Sequence, residues 1–281
     1  MAPSTSPRTG QAKLRAKLAA GEAIGALWLS LGSTAAAEVM TYCGPDAAVF
    51  DLQHGLWSRQ ALESAISIVA NRTIPLVRTL SARAEDIAVA LEAGAAGVIV
   101  PMVEDAATAR AAVAATRYPP EGIRSAGGVR PLMDFSAHFA AVSKDAPFVA
   151  VMIETRAGME AASEIAAVDG IDLVFVGTGD LAMSLSLFPT LGEAHETAVG
   201  TIISKVRAAG SAAGAFSINE SVGAKWRALG AQLTILACDT DALQKTAADT
   251  LGDFRKAPAP ALKAAQKPKT PRKTTARKSR T

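Results

Sequence analysis

The chain has 281 residues, of which 49% are hydrophobic and 20% charged, with a formal net charge of +3. These proportions are those of a soluble globular protein, and no apolar run approaches the ~18–20 residues needed to span a bilayer. The charge is uneven: 256–281 holds nine Lys or Arg and no acid, so 1–255, with 20 basic and 26 acidic residues, carries −6.

Residues 1–11 are expected to be a flexible N-terminus, and a helical pattern begins at 12. The opening stretch has basic residues but no continuous apolar segment of the secretory kind, which points to a cytoplasmic protein with no membrane association. Short β-rich runs then alternate with amphipathic stretches. The runs fall at 23–30, 47–52, 74–79, 96–102, 147–154, 171–177, 212–217 and 232–237. They are almost continuously apolar, as parallel strands covered on both faces must be. Between them lie segments such as "SRQALESAISIVANR", "AEDIAVALEAG" and "DAATARAAVAATRY", several with Ser or Asp at the start and Gly near the end. Eight such units in one domain, 12–255, give a (β/α)₈ TIM barrel with an N-terminal helix. A doubly wound sheet is the competing architecture, but the first βα turn has no G-x-G-x-x-G fingerprint. The longest interruption, 117–146, contains "RYPPEGIRSAGG" and has the size of a loop that covers or completes a site.

The basic, Pro- and Ala-rich segment 256–281 cannot bury enough apolar surface to fold alone and reads as a disordered tail with weak affinity for polyanions. Cys43 and Cys238 have no paired spacing and read as two reduced thiols.

In a barrel of this kind the reactive groups stand at the C-terminal ends of the strands. That rim carries Asp51, Gln53 and His54 after the second run, Arg78 at the end of the third, Glu154 at the end of the fifth and Asp180 after the sixth. Asp180 could serve only as a helix cap, Arg78 only as an ion-pair partner, and Asp239 after the eighth run looks like a cap. Taken together, however, two carboxylates from neighbouring strands suit a hard divalent cation such as Mg²⁺, Mn²⁺ or Co²⁺. An arginine facing them can hold an enolate oxygen, and an imidazole can move a proton. A Cys/His zinc site is unsupported.

The segments "FDLQHG", "PLVRT", "LEAGAAGVIVPMVEDAATARAAVAATRYPPEGIRS", "VMIETRAGME" and "GIDLVFVGTGDLAMSL" resemble the HpcH/HpaI aldolase family over about residues 12–252. The resemblance implies a class II, metal-dependent lyase that makes or cleaves 4-hydroxy-2-oxo acids from pyruvate-like 2-oxo acids and aldehydes. Such chemistry belongs to aromatic or sugar-acid catabolism. It implies Glu154 and Asp180 as metal ligands, Arg78 on the enolate, and His54 as acid/base supported by Asp51. Glu92 would assist that histidine, sometimes across a subunit contact, and Gly177, Thr178 and Gly179 would offer amides to the substrate carboxylate. It further implies swapping of the C-terminal helix between subunits and a homo-oligomer, a dimer or a trimer of dimers. The chain departs from the better-known members at Gln53, where they have glutamate, at Met152, where glutamine is common, and at Gly128, where a serine often meets the substrate. Citrate-synthase-like or acyl-CoA lyase chemistry is the alternative; a CoA ester would need a basic groove, for which Arg117, Arg124 and Arg130 are the available residues.

Overall fold

A computed structural model describes residues 10–256. The expectations for residues 1–9 and 257–281 lie outside the described residues. Helix α1 (Gly10–Ala19) precedes β1 (Ile24–Leu29), α2 (Thr34–Thr41), β2 (Ala47–Asp51), α3 (Arg59–Val69) and β3 (Ile74–Arg78). The chain continues through α4 (Ala84–Glu92), β4 (Gly97–Val100), α5 (Ala106–Thr116), α6 (Val129–Leu132), α7 (Phe135–Lys144) and β5 (Phe148–Ile153). Then come α8 (Arg156–Glu160), α9 (Ala162–Ala166), β6 (Leu173–Val176), α10 (Thr178–Ser184) and α11 (Glu193–Ala208). The order ends with β7 (Ala213–Ala215), α12 (Glu220–Ala228), β8 (Leu233–Cys238) and α13 (Asp239–Lys256). All eight expected strands are present, and they close in sequence order into one parallel barrel.

The strands alternate sides with period two. In β5, Phe148, Ala150 and Met152 fill the barrel interior with Leu76, Ile99, Leu173 and Phe175, while Val149, Val151 and Ile153 face the helical layer. Helix α1 begins at Gly10, two residues before the expected domain start, with Gly10, Gln11 and Leu14 buried. Leu14 joins the interior cluster, and Arg15 is tied to Asp145 and Asp172, each at 2.6 Å. The 117–146 interruption is partly helical, as α6 and α7. Side chains of Ser33, Ser58, Asp105, Asp134, Thr155 and Asn219 each accept the backbone N–H three residues on. These caps satisfy amide groups that a helix start leaves open.

Two units divide the chain, Met1–Gln244 and Lys245–Thr281. In the first, the outer face of β8 is open at Leu236, and Leu243 is exposed. The second is described only to Lys256; it is helical, with Leu251 and Phe254 exposed. Among the described residues, no helix is long and apolar enough to cross a membrane.

Candidate active site

The register of the barrel decides which strand ends meet. Asp51 and Arg78 are direct partners across β2 and β3. Their side chains leave the same rim and form a bidentate pair, Nε to Oδ1 at 2.8 Å and Nη2 to Oδ2 at 2.6 Å. Both are buried, so solvent competes little for the pair. Trp28 Nε1 on β1 also donates to Asp51 Oδ2, and the Arg78 guanidinium lies 4.9 Å from the centre of the Trp28 ring. Burial acts against charge on Asp51, but the Arg78 guanidinium beside it holds the carboxyl below its ordinary value. Nη1 of Arg78 has no hydrogen-bond partner among the described residues, and Arg78 lines the rim cavity.

Between β5 and β6 the register sets Ile153 beside Val176, so Glu154 and Gly177 follow as neighbours. Glu154 Oε1 accepts the backbone N–H of Met102 at 2.7 Å, whereas Oε2 is buried without a partner. A Cβ on Gly177 would stand 2.6 Å from that Oε2 and 3.0 Å from Met152 Sδ. The glycine is therefore required by space, since nothing larger fits beside the carboxylate. Burial, with the nearby Asp180 charge adding to it, pushes the Glu154 carboxyl up to about 7. Asp180 lies in the first turn of α10 and is exposed, so it faces the same opening.

A cavity of about 190 Å³ is lined by Trp28, His54, Arg78, Met152, Glu154 and Asp180, with the Gly177–Gly179 turn and Phe216 completing it. The structure thus brings together six groups expected at the site: His54, Arg78, Glu154, Asp180, Thr178 and Gly179. Gly177 takes part by its missing side chain, because its N–H is spent on the Ile153 carbonyl.

One expected pairing is absent within the chain, and other expected residues lie apart from the cavity. Asp51 does not support the His54 imidazole: its carboxylate takes Arg78, Trp28 and the backbone N–H groups of Gln53 and His54. The exposed His54 ring has no hydrogen bond from any described residue. Gly55 lets that turn close, since a Cβ there would meet the Asp51 carbonyl at 2.2 Å. Gln53 Oε1 is buried without a partner, and the side chain is outside the cavity lining. Glu92, at the end of α4, pairs with Arg59 at 2.7 Å. Gly128 (φ +87°) packs against Glu92, where a Cβ would be 2.7 Å from its Cγ. Within one chain neither residue reaches the rim cavity. Glu92 instead borders a separate cavity of about 640 Å³ among the outer helices. Asp239 is more than a cap: it accepts the N–H groups of Ser30 and Leu31, tying the exit of β1 to that of β8.

Two further residues shape the site without a side-chain signal of their own in the sequence: Trp28, whose indole links Asp51 and Arg78, and Met102. Met102 adopts φ +55°, a conformation that costs a non-glycine residue about 1–2 kcal/mol. That backbone aims its N–H at Glu154. The cue was the Pro-Met step at a strand end, which carries no side-chain chemistry.

The donor set fits a hard cation. One buried carboxylate oxygen is orphaned, an exposed carboxylate stands next to it, and both are oxygen ligands. Among the described residues no cluster of three or more His, Cys, Asp or Glu side chains is placed to hold a metal, and Cys43 and Cys238 are free thiols. The arginines available to a CoA ester lie elsewhere. Arg130 donates to the Ala93 and Glu63 carbonyls, Arg124 is buried over the Tyr118 ring, and Arg117 sits against Gly170.

A family model described as HpcH/HpaI aldolase/citrate lyase matches residues 25–245. The chain is 32% identical over 252 residues to the hydroxypyruvate/pyruvate aldolase of Roseovarius nubinhibens, covering 86% of this chain and 96% of that one. It is 34% identical over 227 residues to the 4-hydroxy-2-oxo-heptane-1,7-dioate aldolase of Salmonella typhimurium, covering 79% and 86% respectively. Among solved structures, a HpcH/HpaI aldolase/citrate lyase family protein from Burkholderia cenocepacia matches with a TM-score of 0.81 at 28% identity. It covers 87% of this chain and 99% of that one.

Proposed function

The chain belongs to the HpcH/HpaI aldolase/citrate lyase family and is a carbon–carbon lyase of the aldolase kind, and from that premise we propose that it cleaves or forms 4-hydroxy-2-oxo acids with a divalent cation held by Glu154 and Asp180. The observation that carries the cation site is Glu154 Oε2: a buried carboxylate oxygen with no partner, next to a second carboxylate, in the rim cavity. A bound Mg²⁺, Mn²⁺ or Co²⁺ would supply Lewis acidity toward the carboxylate and carbonyl oxygens of a 2-oxo acid.

The chain's own groups account for the rest. The Thr178 and Gly179 amides, at a helix start where no intrahelical acceptor exists, would bind the substrate carboxylate. Arg78, fixed by Asp51, would present Nη1 to the oxygen that gains charge as the carbon–carbon bond breaks. Because the guanidinium is already oriented, little reorganisation accompanies that step. His54 would take the proton from the hydroxyl on the departing carbon; the electron pair of the broken bond passes into the enolate of the 2-oxo acid, and the aldehyde leaves. Condensation is the same sequence reversed. In this scheme Asp51 acts on Arg78 and on the His54 backbone. Glu92 and Gly128 would act only through contacts with a second subunit.

The open face of β8 at Leu236 and the exposed Leu251 and Phe254 of α13 support exchange of the C-terminal helix within a homo-oligomer. A retro-aldol assay on 4-hydroxy-2-oxo acids, with Mg²⁺, Mn²⁺ or Co²⁺ and with chelator, tests the reaction. Turnover that survives chelator and Glu154→Ala alike would overturn the cation assignment.

A further inference from the structure

We propose that His195, a buried residue in the first turn of α11, is a positioning residue for the cation-binding turn. The inference rests on the assignment of Glu154 and Asp180 made above. His195 is outside the rim cavity, 5% exposed, and its Nε2 lies 2.8 Å from the Thr178 carbonyl oxygen. A carbonyl can only accept, so Nε2 carries the proton in this contact. The imidazole also packs edge-on to Trp226, with ring centres 6.3 Å apart. Trp226 Nε1 donates to the Phe216 carbonyl at 3.0 Å, and Thr178 Oγ1 donates to the same oxygen at 3.4 Å. One histidine–tryptophan pair, from α11 and α12, therefore fixes from behind the two turns that follow β6 and β7.

The consequence for the site follows from peptide geometry. In a trans peptide the C=O and the next N–H point in opposite directions. Holding the Thr178 carbonyl toward α11 turns the Gly179 N–H toward the cavity and fixes the backbone immediately before Asp180. On the cavity side Gly179 has no side chain and a Cβ there would meet nothing within 4 Å, so His195 adds its hold to the hydrogen bonds of α10 itself, such as Leu181 N–H to the Gly177 carbonyl. Asp180 is itself exposed, so the turn sets the origin and Cα–Cβ direction of its side chain, from which the carboxylate reaches by its own torsions. His195 thus helps place the backbone that carries one cation ligand, Asp180, while the Met102 N–H holds the other, Glu154, independently.

The test compares His195→Gln, whose amide can donate from nearly the same place, with His195→Ala and Trp226→Phe. Mn²⁺ affinity of the folded protein is read by electron paramagnetic resonance, with pyruvate KM, kcat and Tm measured alongside. His195→Ala is expected to weaken Mn²⁺ binding ~10-fold or more, the usual range for a residue that orients a ligand, and to raise the pyruvate KM. His195→Gln should restore most of both, whatever its Tm. Trp226→Phe, which keeps an aromatic ring and loses the Phe216 hydrogen bond, should fall between. A fall in Tm with Mn²⁺ affinity and KM unchanged in all three variants would overturn the proposal and leave His195 as packing. Failure of the unmodified protein to bind Mn²⁺ would instead strike the underlying cation assignment.

Discussion

Replacing Glu154 by glutamine separates the cost of the empty carboxylate from its use. The amide would keep an oxygen for the Met102 N–H and remove the charge that burial and Asp180 oppose. A carboxyl whose pKa is higher in the folded chain than in the unfolded one binds its proton more tightly when folded. Stability is therefore fullest below about 4.5, declines as pH rises, and reaches its lowest plateau above about 7. That displacement, from 4.5 to about 7, corresponds to about 3 kcal/mol at alkaline pH. Without divalent cation at pH 8, Glu154→Gln should thus raise Tm by roughly 5–10 °C for a domain of this size. At pH 5 the gain should shrink to under about 1 kcal/mol. Adding Mn²⁺ at a thousand times its Kd should reverse the order, because a ligand that binds only the folded state then adds about 4.1 kcal/mol. Thermal melts at pH 5 and 8, with chelator and with Mn²⁺, provide the four values. Equal gains at both pH values, or none at pH 8, would refute the reasoning, as would equal stabilisation of both proteins by Mn²⁺.

Gly177→Ala should cost ~10-fold or more in Mn²⁺ affinity by calorimetry, because its methyl would stand 2.6 Å from Glu154 Oε2 and must displace that ligand. Arg78→Lys cannot reproduce the two-point contact with Asp51 and leave a further donor for the substrate; kcat should fall by ~10²–10³ in steady-state assays, with a smaller change in KM. His54→Ala should lower retro-aldol kcat by ~10²-fold or more while Mn²⁺ affinity stays unchanged, since the ring touches neither carboxylate ligand. Gln53→Glu would place a carboxylate where Oε1 is now buried and unpartnered. Its expected signature is a new acidic limb in the pH–rate profile, and an unchanged profile and substrate preference would remove Gln53 from any part in the proton route.

The barrel was legible because parallel strands buried on both faces leave an almost unbroken apolar trace, as in "PFVAVMIE" and "IDLVFVG". The first helix starts two residues ahead of its sequence pattern because Gly10 and Gln11 carry no start signal; they are ordered by contacts distant in sequence, such as Gln11 Nε2 to the Asp145 carbonyl. Likewise α6 and α7 are hidden in the 117–146 segment. The four-residue α6 carries Pro131 within it, and α7 is only ten residues long, too short for periodicity to stand out from a loop.

At the site, residue types were readable but pairings were not. "FDLQHG" places Asp51 three positions from His54, and the family resemblance implied that Asp51 supports the imidazole. The cross-strand register decides otherwise: it sets Asp51 beside Arg78, and a carboxylate with a guanidinium in bidentate reach cannot also turn to an exposed ring. The same limit explains Glu92. The family resemblance implied a role beside His54, sometimes across a subunit contact; within one chain α4 carries Glu92 out to Arg59. Met102 and Gly177 lay further out of reach, since one acts through a backbone N–H and the other through the absence of a side chain. Both converge on Glu154, one of the two proposed cation ligands. The glutamate is identified by its chemistry, but what makes its second oxygen available is backbone geometry on either side of it, and that becomes visible only once β4, β5 and β6 are set in register.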